Sequence, residues 1–437
     1  MGAERVRRAA FRGGIHPPEH KEATASSPIV RAPLPERLYV PMSQHLGAPC
    51  VPTVAAGDRV SRGQAIGAVD AMVSAPVHSP VDGVVSEVVT RLTIAGLRGA
   101  TVVIQPDGVQ DYESFVPVED GDVRRVVRAA GIVGLGGAAF PSAVKLSPPK
   151  GLEVSTVIIN GCECESYLTC DHRLMLETPE RVVRGARIIA ETIGAKRIVI
   201  GVEDNKPDAV AALRAVAGDD VEVRAFVTRY PQGAEKQLIW SVLGREVPHG
   251  KLPAAAGALV HNVATAAVIA DAVDLHKPLM ERVVTVTGRV ARPGNYLVLL
   301  GTPVSALIDA AGGFVGEVRR VVAGGPMTGP ALASLDVPVM KGTSGIVALS
   351  AADAAPEVDG DQPCIRCGRC SEACPAFLQP FQIAMLANRR EYTASEQFHP
   401  IDCIECGACS YVCPTKRPLV QLIRLAKSVA MAKGASL

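Results

Sequence analysis

The sequence predicts a multidomain α/β chain. A parallel sheet with helical crossovers lies near the middle, small β-rich modules flank it, and a metal-binding domain closes the C-terminal end. Three observations carry this reading. Between residues 156 and 227, short apolar runs alternate with amphipathic helical stretches. Residues 54–88 and 284–314 are strand-like and cut by glycine and proline turns. Eight of the 12 cysteines fall into two copies of one spacing. The 437 residues leave room for about three domains of roughly 150 residues each.

Composition narrows the function. Apolar residues make up 48% of the chain and charged residues 20%, so packed cores are available throughout. A net charge of +1, with no basic block, gives no field for nucleic acid. The N-terminal MGAERVRRAAFRGG is basic but no apolar run follows it, so it does not read as a signal peptide. The longest uncharged stretch, residues 252–270, contains Pro253, His261 and Asn262 and leans on alanine. It is expected to be a buried loop and helix rather than a membrane span. So many cysteines in a chain expected to be cytoplasmic point to metal or redox chemistry rather than disulfides.

Taken along the chain, residues 1–37 form an N-terminal segment and residues 38–107 a first β module. Its G-D-x-V-x-x-G-Q and S-P-V-D-G-V-V stretches resemble the β-barrel sandwich of lipoyl and biotinyl carrier domains. Carriers need a lysine at the hairpin tip. Here the tip is Asp70-Ala71-Met72, so the module is expected to be scaffold.

Residues 118–277 are the α/β domain. A glycine-rich stretch opens it, and Gly134-x-Gly136-x-x-Ala139 matches the dinucleotide fingerprint formally. That fingerprint should follow a strand, whereas residues 123–130 read as a helix. A plain tight turn would account for the match. Gly131, Gly137 and the downstream Lys145 favour a loop shaped round phosphate, because glycines let backbone N–H groups approach it closely. Strands at 156–160, 196–202 and 221–227 then alternate with helices. One of these helices starts at Thr178-Pro179 and ends at Gly194. Three strands with helical crossovers imply a Rossmann-like parallel sheet, whose ligands sit at the carboxyl ends of the strands.

The stretch VIINGCECESYLTCDHR lies at such an end. Cys162 and Cys164 alternate with Glu163 and Glu165. In extended chain the thiols would face packing and the carboxylates the crevice. A third cluster on Cys50, Cys162, Cys164 and Cys170 fits no ferredoxin spacing.

Residues 281–350 carry a Pro-Gly-Asn turn between two strand-like runs, then a short helix and Gly312-Gly313. This resembles the β-grasp-like soluble-ligand-binding (SLBB) module. It is expected to pack between the other domains without binding a ligand.

In residues 360–418, CIRCGRCSEACP and CIECGACSYVCP both read C-x2-C-x2-C-x3-C-P, the bacterial two-cluster ferredoxin spacing. Three thiolates of each run converge on one cubane, and the fourth ligates the other. Cys364, Cys367, Cys370 and Cys413 are therefore expected to hold one [4Fe-4S] cluster. Cys403, Cys406, Cys409 and Cys374 are expected to hold the second. Zinc, which prefers two ligand pairs in tetrahedral array, fits this pattern badly. The amphipathic, basic tail at 419–437 reads as a helix docked on this domain, with contact to a membrane partner as the alternative.

Together, FRGGIHPPEHKE, SQHLGAP, SAPVHSPVDGVV, GIVGLGGAAFPSAVKL, INGCECESYLTCDHRLM, RYPQGAEKQLI and the double cysteine run resemble the C subunit of the Rnf complexes, membrane-bound ferredoxin:NAD oxidoreductases of bacteria. More distant likenesses are to the NADH-binding flavoprotein subunit of complex I and to the cobalamin reductase of microcompartments. The resemblance implies FMN in the α/β domain and NAD(H) as substrate. Gly134, Gly136, Gly137 and Lys145 would meet the FMN phosphate and ribityl chain. Asn160, Glu163 and Glu165 would line the flavin and nicotinamide pocket, Gly233 and Glu235 would form a second acidic loop, and Asn262 would lie near the phosphate. Glu163, Glu165 and Glu235 are the catalytic candidates. The implied partners are a ferredoxin-like subunit and integral membrane subunits, with this chain peripheral on the cytoplasmic face of the inner membrane. Three departures bear on NADH contacts: Ser166 replaces a proline, Leu135 an arginine and Ala234 a glutamate. A soluble corrin reductase and a non-catalytic electron-carrying adaptor are the competing readings.

Overall fold

In the computed structural model, which describes residues 11–149, 151–354 and 362–434, two short helices lead into a four-stranded parallel sheet. The helices are α1 (Val123–Ala129) and α2 (Ser142–Lys145). The strands are β1 (Thr156–Gly161), β2 (Arg197–Glu203), β3 (Val221–Phe226) and β4 (Ala258–Asn262), in the spatial order β3–β2–β1–β4. The crossovers and flanking helices are α3 (Cys170–Glu177), α4 (Pro179–Ile193), α5 (Pro207–Ala217), α6 (Glu235–Leu243) and α7 (Val263–Leu275). The central strands β1 and β2 are near-continuous apolar runs because both of their faces are covered. The chain steps outward from β1 to β3 and then returns to the other side of β1. The switch point between β1 and β4, the crevice at which sheets of this kind bind ligands, lies at their carboxyl ends. There Asn160 and Asn262 sit side by side in register.

Helix α4 shows how local signals place these elements. Pro179 starts it, and Gly194, in the left-handed region at φ 72°, ends it. Its neighbour Thr178 does not cap through its side chain. The hydroxyl instead donates back to the Leu174 carbonyl. Within the helix, Gly185 meets α7 so closely that a Cβ would lie 1.8 Å from the Ala266 carbonyl oxygen. The expectation of a loop and helix at 252–270 needs correction, because β4 lies between a 3-10 turn (Pro253–Ala256) and α7. A five-residue strand buried on both faces shows no alternation and cannot be told from helix by period.

The first β module is a two-sheet sandwich. Strands Leu38–Pro41, Arg59–Val60, Gly83–Leu92 and Arg98–Pro106 form one sheet. Strands Val51–Pro52, Ala65–Ala68 and Val77–His78 form the other. Leu38, Val40, Ile66, Val85 and Ile104 fill the space between them. The SLBB-like sheet has strands Glu281–Gly288, Gly294–Leu299, Arg320–Ala323 and Gly345–Leu349, plus an unexpected fifth, Ile29–Arg31, running parallel to Gly294–Leu299. Residues 11–31 thus form a strap. Gly14 N–H donates to the Ala373 carbonyl, Ile15 and Tyr230 exchange backbone hydrogen bonds, and the strap then runs on to the SLBB edge.

In the C-terminal domain the insert between the cysteine runs forms a helix, Pro380–Asn388, as its apolar spacing predicts. The tail forms a second helix, Leu419–Gly434, docked on it. Leu419, Val420, Ile423 and Ala426 pack with Ile383, Ala384 and Ala387. Among the described residues no helix is long and apolar enough to cross a membrane.

Candidate functional site

The glycine loop between α1 and α2 lines the crevice on the β4 side. Gly136 and Gly137 are exposed, and Gly137 adopts φ 117°. A Cβ on Gly136 would crowd Asn262 at 3.3 Å, so a side chain there would push into the crevice wall. The amides of Gly136, Gly137 and Ala138 meet no acceptor among the described residues. They lie beside the start of α7, where the Asn262 side chain accepts from Ala264 N at 2.8 Å and Thr265 N at 3.3 Å. Free amides beside a helix N-terminus suit a phosphate. The loop itself is held by the Thr265 hydroxyl, which accepts from Leu135 N at 2.9 Å.

On the opposite wall, Asn160 Nδ2 donates to the Gly233 carbonyl at 2.8 Å, tying β1 to the loop before α6. Lys145 Nζ donates to Glu235 Oε1 at 2.8 Å and to the Val260 carbonyl at 3.1 Å. The structure therefore brings Gly136 to Asn262, Asn160 to Gly233 and Lys145 to Glu235 beside the crevice, with Gly134 and Gly137 on the same loop as Gly136.

The expectation of extended chain after β1 is corrected. Glu163 turns left-handed at φ 46° and the alternation of faces is lost. The Glu163 carboxylate accepts from Asp171 N at 2.7 Å and His172 N at 3.1 Å, capping α3. Glu165 leaves in another direction, accepting from Met327 N at 3.1 Å and from the Thr328 hydroxyl at 2.5 Å. Burial pushes its carboxyl up, against the pull of those two hydrogen bonds. Cys162 is packed under the sheet with Ile158, Phe226 and Leu238. Cys50 belongs to the core of the β sandwich, so the four remaining cysteines do not gather.

Several site residues were not singled out from the sequence, although the stretches that hold them were. Asp171 receives a hydrogen bond from Asn262 Nδ2 at 2.6 Å, and its carboxyl is raised by burial and by the neighbouring charge of Glu163. Lys21 reaches the loop after β1 from 142 residues away, and Tyr230, three residues before Gly233, reaches across to the Cys406 carbonyl of the cluster domain.

The C-terminal cysteines form two groups. Cys364, Cys367, Cys370 and Cys413 line one cavity near the surface, where Cys364 and Cys367 are exposed. Cys403, Cys406 and Cys409 lie deeper. Burial raises all three thiols, that of Cys406 to about 12, and the charge of Cys374 adds to each rise. Four cysteines gathered this closely are a donor set that suits a thiolate-ligated metal centre. This inner group abuts the α/β domain. Gln237 Nε2 donates to the Pro375 carbonyl, and Tyr230 is packed among Cys164, Cys406, Ala373 and Ala408.

A flavin-suited α/β crevice beside a two-cluster domain defines an electron-transfer flavoprotein. Residues 127–271 match the Nuo51 FMN-binding domain, 9–109 the RnfC barrel sandwich hybrid domain, 283–331 the SLBB domain and 363–417 the 4Fe-4S dicluster domain. The chain is 46% identical to the C subunit of the Na(+)-translocating ferredoxin:NAD(+) oxidoreductase complex of Acetobacterium woodii, over 98% of each chain. It is 44% identical to the proton-translocating counterpart of Clostridium ljungdahlii, over 97% of this chain and 95% of that one. Identity to the C subunit of the ion-translocating oxidoreductase complex of Rhodobacter capsulatus is 42%, over 96% and 82%. The chain belongs to the RnfC family, the C subunits of the Rnf complexes, and FMN and two [4Fe-4S] clusters are its cofactors. A solved NAD+-reducing [NiFe]-hydrogenase shares the fold at TM-score 0.51 and 20% identity. The match covers 70% of this chain and spans 62% of that one.

Proposed function

We propose that this chain is the electron-transfer subunit of a membrane-bound, ion-translocating ferredoxin:NAD oxidoreductase. It exchanges hydride with NAD(H) at the crevice and passes single electrons through its two clusters. The observation that carries this reading is the seat of Tyr230, buried in a small cluster against which both Cys164 of the α/β domain and Cys406 of the inner cysteine group pack. This one cluster joins the α/β domain to the cluster domain.

Flavin, when bound, supplies the conversion between a two-electron hydride and single electrons. The chain supplies the rest. The amides of Gly136 to Ala138 and the N-terminus of α7 hold a phosphate. Asn160 fixes the Gly233 loop, and Lys145 with Glu235 presents a paired charge at the crevice mouth. Glu163 keeps α3 and Asp171 in place. Cys403, Cys406, Cys409 and Cys374 hold the inner cluster, and Cys364, Cys367, Cys370 and Cys413 the outer one. The exposed outer group is the exchange point for a ferredoxin-like subunit, and integral membrane subunits carry the ion. In this reading the chain sits peripherally on the cytoplasmic face of the inner membrane.

The test uses purified, cluster-replete protein mixed anaerobically with NADH. Flavin bleaching followed by cluster reduction, read by EPR, is the expected result. FMN that stays oxidised under excess NADH would overturn the reading in favour of an adaptor.

A further inference from the structure

Lys21, on the strap, is buried at 8% exposure. Its Nζ donates to three backbone carbonyls of one loop: Glu163 at 2.8 Å, Glu165 at 2.9 Å and Leu168 at 2.5 Å. From the other side, Lys206 Nζ donates to the Cys162 carbonyl at 2.7 Å and to Asn205 Oδ1 at 2.8 Å. Two ammonium groups thereby draw four carbonyls of residues 162–168 beneath the loop. Convergent carbonyl dipoles repel unless a cation sits between them, and charge-assisted hydrogen bonds are the strong ones. The same loop holds Glu163 at φ 46° and Tyr167 at φ 71°, a conformation that non-glycine residues keep only when their surroundings impose it. With its carbonyls fixed inward, the loop sends Glu163 to the start of α3 and Glu165 to Met327 and Thr328.

We propose that Lys21 is a positioning residue for nicotinamide binding: its ammonium sets the shape of the 163–168 loop and so the placement of Glu163, which holds Asp171 against Asn262 at the crevice. This rests on the crevice being the NAD(H) site. The strap that carries Lys21 also touches the inner cluster loop through Gly13 and Gly14. Docking of the strap and affinity for nicotinamide are therefore linked.

The test is Lys21→Ala in the holoprotein, with FMN, iron content and both cluster EPR signals measured first. The vacated space opens onto the cleft that Lys21 lines with His16, Glu19, Ser166 and Asn205. A small cation can enter there. The expected result is a KM for NADH raised about tenfold, with kcat changed less than about threefold. Ammonium or methylammonium, but not tetramethylammonium at equal ionic strength, restores KM. Hydrogen exchange of the 163–171 amides, measured without nucleotide, rises in the variant and falls again with ammonium. The exchange readout needs no NADH chemistry, so it stands even if the crevice binds something else. Unchanged exchange and KM in a cofactor-replete variant would overturn the proposal, as would loss of FMN or iron that ammonium does not reverse. Lys21→Gln, which keeps one donor without the charge, is the second variant should alanine prevent folding. It is expected to give intermediate exchange, and parental exchange and KM in it would likewise overturn the proposal.

Discussion

The Tyr230 hydroxyl donates to the Cys406 carbonyl at 2.6 Å, from a ring only 3% exposed. Burial, followed by the nearby charges of Glu165 and Cys164, pushes the phenol well above its ordinary range, so it stays a neutral donor. A donor fixed on the backbone of a cluster loop draws electron density away from that loop. Tyr230→Phe removes this hydrogen bond and little volume. It is expected to lower the inner cluster potential and to slow electron passage from flavin to cluster a few-fold, leaving the outer cluster signal unaltered. EPR-monitored redox titration and stopped-flow reduction by NADH check it. Equal potentials in the two proteins would reduce Tyr230 to packing.

The cysteine groups make a crosswise prediction. Cys413 lines the cavity with Cys364, Cys367 and Cys370, although it belongs to the second run by sequence. Cys374, from the first run, adds its charge to Cys403, Cys406 and Cys409. Cys413→Ala should therefore cost the exposed, outer cluster, and Cys374→Ala the inner one. Iron content would fall by about half in each case, because each variant loses one of two four-iron clusters. Only the Cys374→Ala protein should lose the signal that Tyr230→Phe shifts. Loss of the same signal in both cysteine variants would contradict the crossing.

Glu203 gives a pH dependence. It is fully buried, accepts from Arg229 N at 3.2 Å and has Lys206 Nζ at 3.5 Å. Burial raises its carboxyl to about 7, with Lys206 and Lys21 pulling the other way. A carboxyl raised in the folded state ionises first in the unfolded chain. Stability from this group is therefore present at low pH and is lost as pH climbs from about 4.5 to 7, by about 3 kcal/mol at most. Glu203→Gln should flatten that part of the curve, so its Tm relative to the parent improves from pH 5 to pH 8. Lys206 keeps its bonds to the Cys162 carbonyl and Asn205, which limits the damage. Parallel Tm curves would show that Glu203 is ionised throughout.

Features written into short stretches of sequence were legible. Two cysteine runs declare two clusters because metal geometry dictates ligand spacing. Pro179 and Gly194 mark α4 because each acts on its own backbone. The crevice glycines could be named, though not their partners. Features made by distant residues were not legible. Nothing near Lys21 signals that it will meet three carbonyls more than 140 residues away. Tyr230 sits in an ordinary loop until the cluster domain closes on it. The misreading at Glu163 has a local cause. Alternation predicts faces only while the chain stays extended, and one left-handed residue ends it.

The tail helix reaches the inner cluster loop as well. Lys427 Nζ donates to the Cys403 carbonyl at 2.8 Å and to Glu405 Oε1 at 2.8 Å, and Arg424 pairs with the same carboxylate at 2.9 Å. A cation beside a cluster favours the reduced, more negative state and so raises its potential. Lys427→Met keeps most of the stem that packs on the domain, but it removes the charge and leaves Glu405 paired with Arg424 alone. The inner cluster potential should fall on the order of tens of millivolts, a size set by a partly screened charge a few ångströms away. The outer cluster, whose cysteines make none of these contacts, should hold its value. Redox titration at two salt concentrations checks both the sign and the electrostatic origin, since added salt should shrink the difference. A rise in potential, or equal shifts in both clusters, would mean that the tail acts by moving the domain rather than by its charge.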